Sequence, residues 1–441
     1  MDSKAQLAIE KIYADDNNFP AGQEDKIVQS AAVVLDPHSG EIRVLIGGRK
    51  VQGERLFNRA VYACRQPGSA LKPVAVYAPA LELGYSPATV LDDFPMEYHT
   101  PQGPKSFANV DNRYRGLVSM RTAIQHSINT VAVKMLQTIG VSEGFNFAKK
   151  LGITTLVESG TANDLGLSLA LGGLTKGVSP LELTAAYAVF ANQGFYIKPH
   201  AIKRIEDKEG NILYEHRTEK IQVMSAQSAY LLTDMLRSVI QSGTGTRAQL
   251  DRPAAGKTGT TSYNVDAWFV GYSPNLAGTV WLGYDQAETM RNVYGSTCAP
   301  LWSKVMAAAH QDIPVSSFPV PPGITALAVD YKSGLLPSEL TPPEYVVTEL
   351  FNGNNVPAEI SNVWVQQYVC AESGELLTNN CRYPISKVFL QRPVPWSGDI
   401  APEDAALELP DQYCSIHGGT GAFTSVNGGL KLQGAAIPGE K

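Results

Sequence analysis

The stretch Arg65-Gln66-Pro67-Gly68-Ser69-Ala70-Leu71-Lys72-Pro73 contains the only Ser-x-x-Lys in this chain of 441 residues. Proline is tolerated at a helix start, where its missing N–H would have no partner, so we predict a helix that begins no earlier than about Ser69. Residues three apart lie on one face of a helix, which lets the Lys72 amine reach the Ser69 hydroxyl. Because serine is a weak nucleophile until a base removes its proton, the pair predicts a nucleophile with its base.

Two further motifs follow in order along the chain. Ser127-Ile128-Asn129 lies in a predicted helical region, and Lys257-Thr258-Gly259, the only Lys-Thr-Gly, lies in a predicted strand. Among the other Ser-x-Asn triplets, Ser262-Tyr263-Asn264 is set aside because it directly follows that strand, and Ser425-Val426-Asn427 because it lies in a Gly-rich tail. Each motif alone is weak, since it also occurs on surface helices and turns. The ordered set of three indicates an active-serine site.

The two lysines are predicted to act together. A lysine serves as a base near neutral pH only if its pKa falls from about 10.4, and a fall of about 3 units requires roughly 4 kcal/mol. Burial disfavours the charged amine, and a nearby second cation disfavours it further. Lys257 is the candidate for the cation beside Lys72. We also predict that Ser127 relays a proton to the leaving amine and that Asn129 contacts the substrate amide and steadies Lys72.

The segment 257–261 is predicted to hold the substrate. In a strand the side chains of Thr258 and Thr260 lie on one face, where their hydroxyls can bind a carboxylate. Gly259 leaves the strand edge bare, so that a peptide can pair with the backbone. The backbone N–H groups of Ser69 and Thr260 are predicted to form an oxyanion hole, where the loss of one donor typically costs about 3–4 kcal/mol. No metal and no cofactor is assigned to this site.

The composition is that of an ordinary globular protein of two or three domains. The 36 basic and 42 acidic residues nearly balance, which argues against nucleic acid as a partner because such binding usually needs a basic stripe. No stretch of about 20 apolar residues could span a bilayer, and residues 1–20 contain no apolar signal core. The chain is therefore cytosolic or a soluble piece of an anchored protein, and the motifs favour the second.

Three of the five cysteines cluster near the C-terminus. Cys370, Cys381 and Cys414, together with His417, could form a structural zinc site, but their spacing matches none of the common tight pairs. In an oxidising compartment one disulfide and one spare thiol are favoured instead. The sequence leaves both states open.

Hydrophobic periodicity and turn residues predict a mixed α/β fold, of α+β character. Predicted strands lie at 28–35, 41–46, 255–261, 267–272 and 279–284, and predicted helices lie at 70–84, 119–139, 179–192, 225–241 and 301–310. This order indicates a central, mostly antiparallel five-stranded sheet flanked by helices, with an inserted all-helical lobe. A cleft is expected between the lobes.

The domain boundaries follow from composition. Four prolines within 314–322 mark the end of the main domain. We expect an N-terminal linker at 1–27, the main domain at 28–318 and a small β-rich C-terminal extension at 319–441. The last 20 or so residues, rich in Gly, Ala and Ser, are expected to be disordered.

From about Gln29 to His310 the chain resembles the transpeptidase domain of class A penicillin-binding proteins. The three motifs together are the signature of active-serine enzymes that bind penicillin. The resemblance extends to four further segments, which are 65–73, 109–116, 167–172 and 266–272.

The resemblance implies a penicillin-recognising serine transpeptidase on the outer face of the bacterial cytoplasmic membrane. Its donor would be a peptidoglycan stem peptide ending in D-Ala-D-Ala, its acceptor an amine on a neighbouring stem, and β-lactam antibiotics its inhibitors. Cell-wall synthesis proteins are candidate partners. Class A members carry a glycan-polymerising domain and a membrane anchor upstream, for which the residues before the first strand are too few. We therefore expect a fragment without polymerase activity, whose full-length form is membrane-anchored.

Three other functions remain open from sequence. A D,D-carboxypeptidase uses the same residues with water as the acceptor, and a β-lactam sensor can keep the same motifs without turnover. A serine β-lactamase needs an extra carboxylate to activate the deacylating water, and no convincing glutamate motif lies between Ser127 and Lys257. The carboxylates of Glu182, Asp111 and Asp266 are predicted to cap helices or face solvent.

Overall fold

A five-stranded antiparallel sheet forms the centre of the protein. The computed structural model describes the chain except for residues 24–25, 51–52, 54–55, 101–102, 395–400, 422, 427–428 and 433–441. The central strands are β1 (Gln29–Leu35), β2 (Ile42–Ile46), β3 (Ala255–Thr260), β4 (Asp266–Tyr272) and β5 (Ala277–Gly283). Their order is β3-β4-β5-β1-β2, and every neighbouring pair is antiparallel. The predicted sheet is confirmed.

Helices surround this sheet. The α-helices of the described residues are α1 (Ser3–Ala14), α2 (Arg59–Tyr62), α3 (Ala78–Glu82), α4 (Met120–Gln125), α5 (Asn129–Ile139), α6 (Val141–Lys150), α7 (Pro180–Ala191), α8 (Ala226–Ser242) and α9 (Gly295–Ala309). A 3₁₀ segment, Gly68–Leu71, and a π-helical segment, Pro73–Tyr77, lead into α3. A second 3₁₀ segment is Leu167–Leu171.

Both faces of the sheet are buried, which explains why β1, β4 and β5 contain long apolar runs. Successive residues of a strand point to opposite faces. On β1, Val33 packs into a core shared with α7 and α8, whereas Val34 packs into a core shared with α1 and α9. Strands more than 200 residues apart in sequence, such as β1 and β5, therefore join into one sheet between two helical layers.

The predicted helix at 119–139 is two helices in the structure. Helices α4 and α5 are separated at residues 126–128, where Ser127 has a φ of +58°. A left-handed residue cannot continue a right-handed helix. The last predicted helix also begins earlier, at Gly295 rather than 301.

The lobe between β2 and β3 is mostly helical, although it also contains short antiparallel strand pairs. These pairs are Val90–Asp93 with Gly116–Ser119, Glu97–Thr100 with Gly103–Ser106, Phe195–Ile197 with Lys220–Gln222, and Arg204–Glu206 with Ile212–Glu215. The expectation of an all-helical lobe is corrected accordingly.

The segment 1–27, expected to be a linker, contains helix α1. Ala5, Ile9 and Tyr13 are buried in the core shared with α9, and Asp2 caps the helix by accepting from the Lys4 and Ala5 N–H groups. The spacing of these three residues, one every four, is a helical signal that the sequence analysis did not use. None of the helices in the described ranges is long and apolar enough to cross a membrane.

The residues after the main domain form β-hairpins. Ile324–Asp330 pairs with Val346–Asn352, Trp364–Cys370 with Pro384–Leu390, and Phe423–Val426 with Gly429–Leu432. The last pair lies in the tail that was expected to be disordered, and residues 433–441 of that tail lie outside the described residues.

A buried carboxylate is one of several contacts that join the C-terminal part to the main domain, alongside ion pairs such as Arg121–Glu349. Asp404 accepts the Leu117 N–H at 2.8 Å and ion pairs with Lys332 at 3.0 Å and Arg392 at 2.6 Å. Leu117 belongs to a strand of the lobe, so this contact crosses between the two parts.

Candidate active site

The Ser69 segment packs directly against strand β3 because two glycines allow it. Gly68 has a φ of +54°, and a Cβ atom there would lie 2.4 Å from the Thr260 carbonyl oxygen. A Cβ atom on Gly259 would lie 2.4 Å from the Pro67 carbonyl oxygen. Gly259 was expected to leave the strand edge bare for a substrate, and its missing side chain also makes room for the Ser69 segment.

Thr260 presents its backbone to the free edge of the sheet. The Thr261 N–H donates to the Asp266 carbonyl oxygen at 3.1 Å, and hydrogen-bonded pairs alternate along antiparallel strands. The Thr260 N–H therefore points away from β4, towards the side on which Gly68 and Ser69 lie. β3 is the first strand in the sheet order, so this edge has no neighbouring strand among the described residues.

The two threonine hydroxyls are held by separate partners. The Thr260 Oγ1 accepts the Gly295 N–H at 2.9 Å, at the first residue of α9. The Thr258 Oγ1 lies 2.7 Å from the Thr244 Oγ1. Both threonines line one cleft with Ser69 and Ser127, so the three sequence motifs meet in space.

The Ser127 hydroxyl connects the two lysines. The Lys257 Nζ donates to the Ser127 Oγ at 2.8 Å, and the Lys72 Nζ lies 3.4 Å from the same atom. The Lys72 Nζ also donates to the Ser127 carbonyl at 2.6 Å and to the Asn129 Oδ1 at 2.7 Å. Among the described residues the Ser69 hydroxyl has no hydrogen-bond partner, so the predicted contact between Ser69 and Lys72 is not formed in this structure.

Burial disfavours the charged form of both lysines, and the charge of Lys257 disfavours that of Lys72 further. Each is fully buried. Burial lowers the pKa of Lys72 well below its ordinary value, the charge of Lys257 lowers it further, and Asp93 opposes the change. Burial lowers the pKa of Lys257 to about 7. Near neutral pH this pair can therefore supply a neutral amine as a base while retaining a positive charge beside it.

Asn109 and Asp93 are site residues that the sequence analysis missed. The Asn109 Oδ1 accepts the N–H groups of Asn129 at 2.8 Å and Thr130 at 3.3 Å. It thus caps α5, whose own N-cap residue, Ile128, has no side-chain acceptor. The Asn109 Nδ2 donates to the Asp93 Oδ1 at 2.7 Å. Asn109 belongs to a segment that carries the family resemblance, whereas no sequence motif marks Asp93.

The cleft has a volume of about 1190 Å³ and contains two carboxylates among its described lining residues. Asp111 ion pairs with Arg115 at 2.5 Å. Asp266 is buried rather than solvated, since it ion pairs with Arg65 at 2.7 Å and accepts from the Trp281 indole at 3.0 Å.

Glu182 lies outside this set and completes a capping box at the start of α7, as predicted. The two carboxylates among the described cleft residues, Asp111 and Asp266, therefore each have an arginine beside them.

An active-serine enzyme is the class that this fold and cleft define. Comparison with known proteins then gives the family. Residues 30–307 match the family described as "Penicillin binding protein transpeptidase domain", and residues 320–366 match "Penicillin-binding protein 1A, C-terminal domain". The chain belongs to the penicillin-binding protein transpeptidase family.

Named relatives agree with this assignment. Penicillin-binding protein 1A of Clostridium botulinum (strain Hall) is 33% identical over 403 residues, which cover 87% of this chain and 47% of that protein. Penicillin-binding protein 1A of Aquifex aeolicus is 39% identical over 317 residues, which cover 71% and 42%. The chain thus spans about half the length of the curated relatives it matches.

Solved structures share the fold. Penicillin-Binding Protein 1A from Haemophilus influenzae aligns with a TM-score of 0.69 at 28% identity, covering 77% of this chain and 55% of that one. PonA1 from Mycobacterium tuberculosis in complex with penicillin V aligns with a TM-score of 0.64 at 25% identity, covering 73% and 87%.

Proposed function

We propose that this chain cross-links peptidoglycan stem peptides as a serine D,D-transpeptidase and that β-lactams acylate it. One observation carries the proposal: the Ser127 hydroxyl lies 2.8 Å from the Lys257 Nζ and 3.4 Å from the Lys72 Nζ, in the cleft that contains Ser69. This arrangement can move a proton from an attacking hydroxyl to a leaving amine without a metal or cofactor.

In the first half-reaction Ser69 is the nucleophile. Its oxygen attacks the carbonyl carbon of the penultimate D-Ala while the neutral amine of Lys72 takes its proton. The N–H groups of Ser69 and Thr260 stabilise the oxyanion. The peptide bond then breaks, the proton passes through the Ser127 hydroxyl to the leaving nitrogen, and free D-Ala departs. The lowered pKa of Lys72 supports its role as the base.

The remaining motif residues hold and orient the substrate. The hydroxyls of Thr258 and Thr260 and the charge of Lys257 bind the terminal carboxylate. Gly259 shapes this substrate-binding strand through its close approach to the Ser69 segment. Asn129 positions Lys72 through its Oδ1, and from the wall of the cleft it contacts the substrate amide.

In the second half-reaction an amine of a neighbouring stem peptide attacks the Ser69 ester and forms the cross-link. A β-lactam acylates the same oxygen, but its leaving nitrogen stays attached through the opened ring and blocks the acceptor. A carboxypeptidase would admit water here instead. The pairing of both described cleft carboxylates with arginines disfavours a β-lactamase, which needs a free carboxylate to activate water.

The proposals for cellular location, membrane anchoring and domain boundaries rest on the same family membership. We propose that the chain acts on the outer face of the bacterial cytoplasmic membrane, on stem peptides, and that its full-length form is anchored there. We also propose that residues 28–318 form the transpeptidase domain and residues 319–441 an extension of it.

The test uses a fluorescent penicillin and a stem-peptide analogue ending in D-Ala-D-Ala. We expect stable labelling of the wild type, which Ser69→Ala should abolish. Ser168→Ala, a substitution at a cleft serine outside the three motifs, should retain the label. Release of D-Ala together with a cross-linked product in the presence of an acceptor amine supports transpeptidation. D-Ala release without a cross-linked product indicates a carboxypeptidase, and labelling without D-Ala release indicates a sensor. Rapid loss of the label indicates a lactamase.

A further inference from the structure

Three cysteines and one histidine meet at the end of the C-terminal extension. The side-chain donor atoms of Cys370, Cys381, Cys414 and His417 all lie within 4.8 Å of one another. The His417 Nδ1 is 3.4 Å from the Cys370 Sγ and 3.2 Å from the Cys414 Sγ. These residues come from three separate segments of the chain, so the cluster exists only in the folded protein.

The spacing of these atoms suits a tetrahedral zinc ion. Zinc binds thiolate sulfur at about 2.3 Å and imidazole nitrogen at about 2.0–2.1 Å, which places the ligand atoms of a tetrahedron roughly 3.6–3.8 Å apart. The observed separations bracket this value. Three thiolates and one imidazole select zinc over calcium or magnesium, which prefer oxygen ligands. Cys414 and His417 are three positions apart in the sequence, so two of the four ligands come from one short segment.

Outer partners orient two of the four ligands. The His417 Nε2 lies 3.4 Å from the Glu372 Oε1, so the ring nitrogen that does not face the sulfurs faces a carboxylate. Histidine ligands of zinc usually donate their second N–H to such a group. The Cys381 Sγ accepts the Thr378 N–H at 3.4 Å and lies 3.3 Å from the Thr378 hydroxyl. These contacts fix the orientation of the His417 imidazole and of the Cys381 side chain.

The surrounding packing explains what a metal would contribute. Cys370, Leu377 and Cys414 are the buried residues of this small core, with Tyr368 and Cys381 against it. So few apolar side chains cannot hold three turns together, and small segments of this kind commonly depend on a metal or a disulfide. A disulfide would use two of the three sulfurs and leave the third thiol and the imidazole unexplained. In the structure all three cysteines are free.

We propose that Cys370, Cys381, Cys414 and His417 bind one structural zinc ion that fastens the end of the C-terminal extension. The four ligands come from the protein, which leaves no open position for substrate, so the ion is structural rather than catalytic. Each thiol releases its proton as it binds. The proposal replaces the disulfide favoured by the sequence and does not depend on the function proposed for the cleft.

The test measures metal in the full 441-residue chain, purified with reductant from zinc-supplemented cells and freed of loosely bound metal. Atomic emission should find about one zinc per chain in the wild type and in Cys64→Ser, the matched control at an exposed cysteine outside the cluster. Cys381→Ser and His417→Ala should lose most of it. Cobalt exchanged into the wild type should give the absorption bands of tetrahedral thiolate coordination.

A second measurement does not depend on the variants folding. In the wild type, alkylation followed by peptide mass spectrometry should find Cys370, Cys381 and Cys414 protected until a zinc chelator is added, while Cys64 reacts at once. Wild-type protein without zinc, zinc content equal in wild type and cluster variants, or a disulfide between two of the three cysteines in protein purified without reductant would each overturn the proposal.

Discussion

Replacing Lys257 by methionine tests whether its charge sets the basicity of Lys72. The two Nζ atoms lie 2.8 and 3.4 Å from the same Ser127 oxygen, so they are no more than about 6 Å apart. A unit charge at about 6 Å, with an effective dielectric constant of about 20, contributes about 3 kcal/mol, or about two pKa units. Lys72 also lies in the field of Asp93, which the substitution leaves in place. We therefore expect the pKa of Lys72 to rise by about two units in Lys257→Met.

A base with a raised pKa stays protonated to higher pH, so the acid limb of the acylation profile should move up by about two pH units. The measurement is the second-order rate of Ser69 acylation by a fluorescent penicillin between about pH 5 and about pH 9. Lys257→Arg keeps the charge and should keep the limb in place, whatever its absolute rate. Thr258→Val removes a substrate contact without a charge and should lower the rate equally at all pH values. A limb that stays in place or moves down in Lys257→Met would refute the reasoning.

Three further predictions follow from contacts in the structure. Asp93→Asn removes the anion that supports the charged form of Lys72, so the acid limb of acylation should move to lower pH, the opposite direction to Lys257→Met; an upward shift would contradict this. Gly259→Ala should slow acylation about 100-fold, because its Cβ would lie 2.4 Å from the Pro67 carbonyl oxygen and displace the Ser69 segment. Gly166→Ala is the control for a simple loss of glycine, since the nearest atom to a Cβ there is 3.9 Å away. Asp404→Ala leaves Lys332 and Arg392 buried without their shared partner and should lower the free energy of unfolding in urea by about 3–5 kcal/mol; Asp312→Ala, which breaks the exposed ion pair with Lys4, should change it little.

Local patterns in the sequence predicted much of the fold. The strands at 28–35 and 267–284 were recognisable because both faces of the sheet are buried, so that the chain is largely apolar there and turn residues bound each strand. The break between α4 and α5 was not recognisable. No glycine or proline marks it, and a left-handed Ser127 costs of order 1–3 kcal/mol. Contacts from Lys72 and Lys257, distant in sequence, hold that conformation.

The sequence by itself determined which groups can react, because motif spacing within one strand or one helical turn follows from backbone geometry. Only the tertiary structure decided which groups meet. Lys257 reaches Ser127 across 130 residues, Asn109 caps α5 from another loop, and His417 meets cysteines from three segments. Such contacts depend on how closely two segments can pack, as at Gly68 and Gly259. Packing between distant segments produces no periodic pattern in the sequence of either segment, so it cannot be predicted from local sequence.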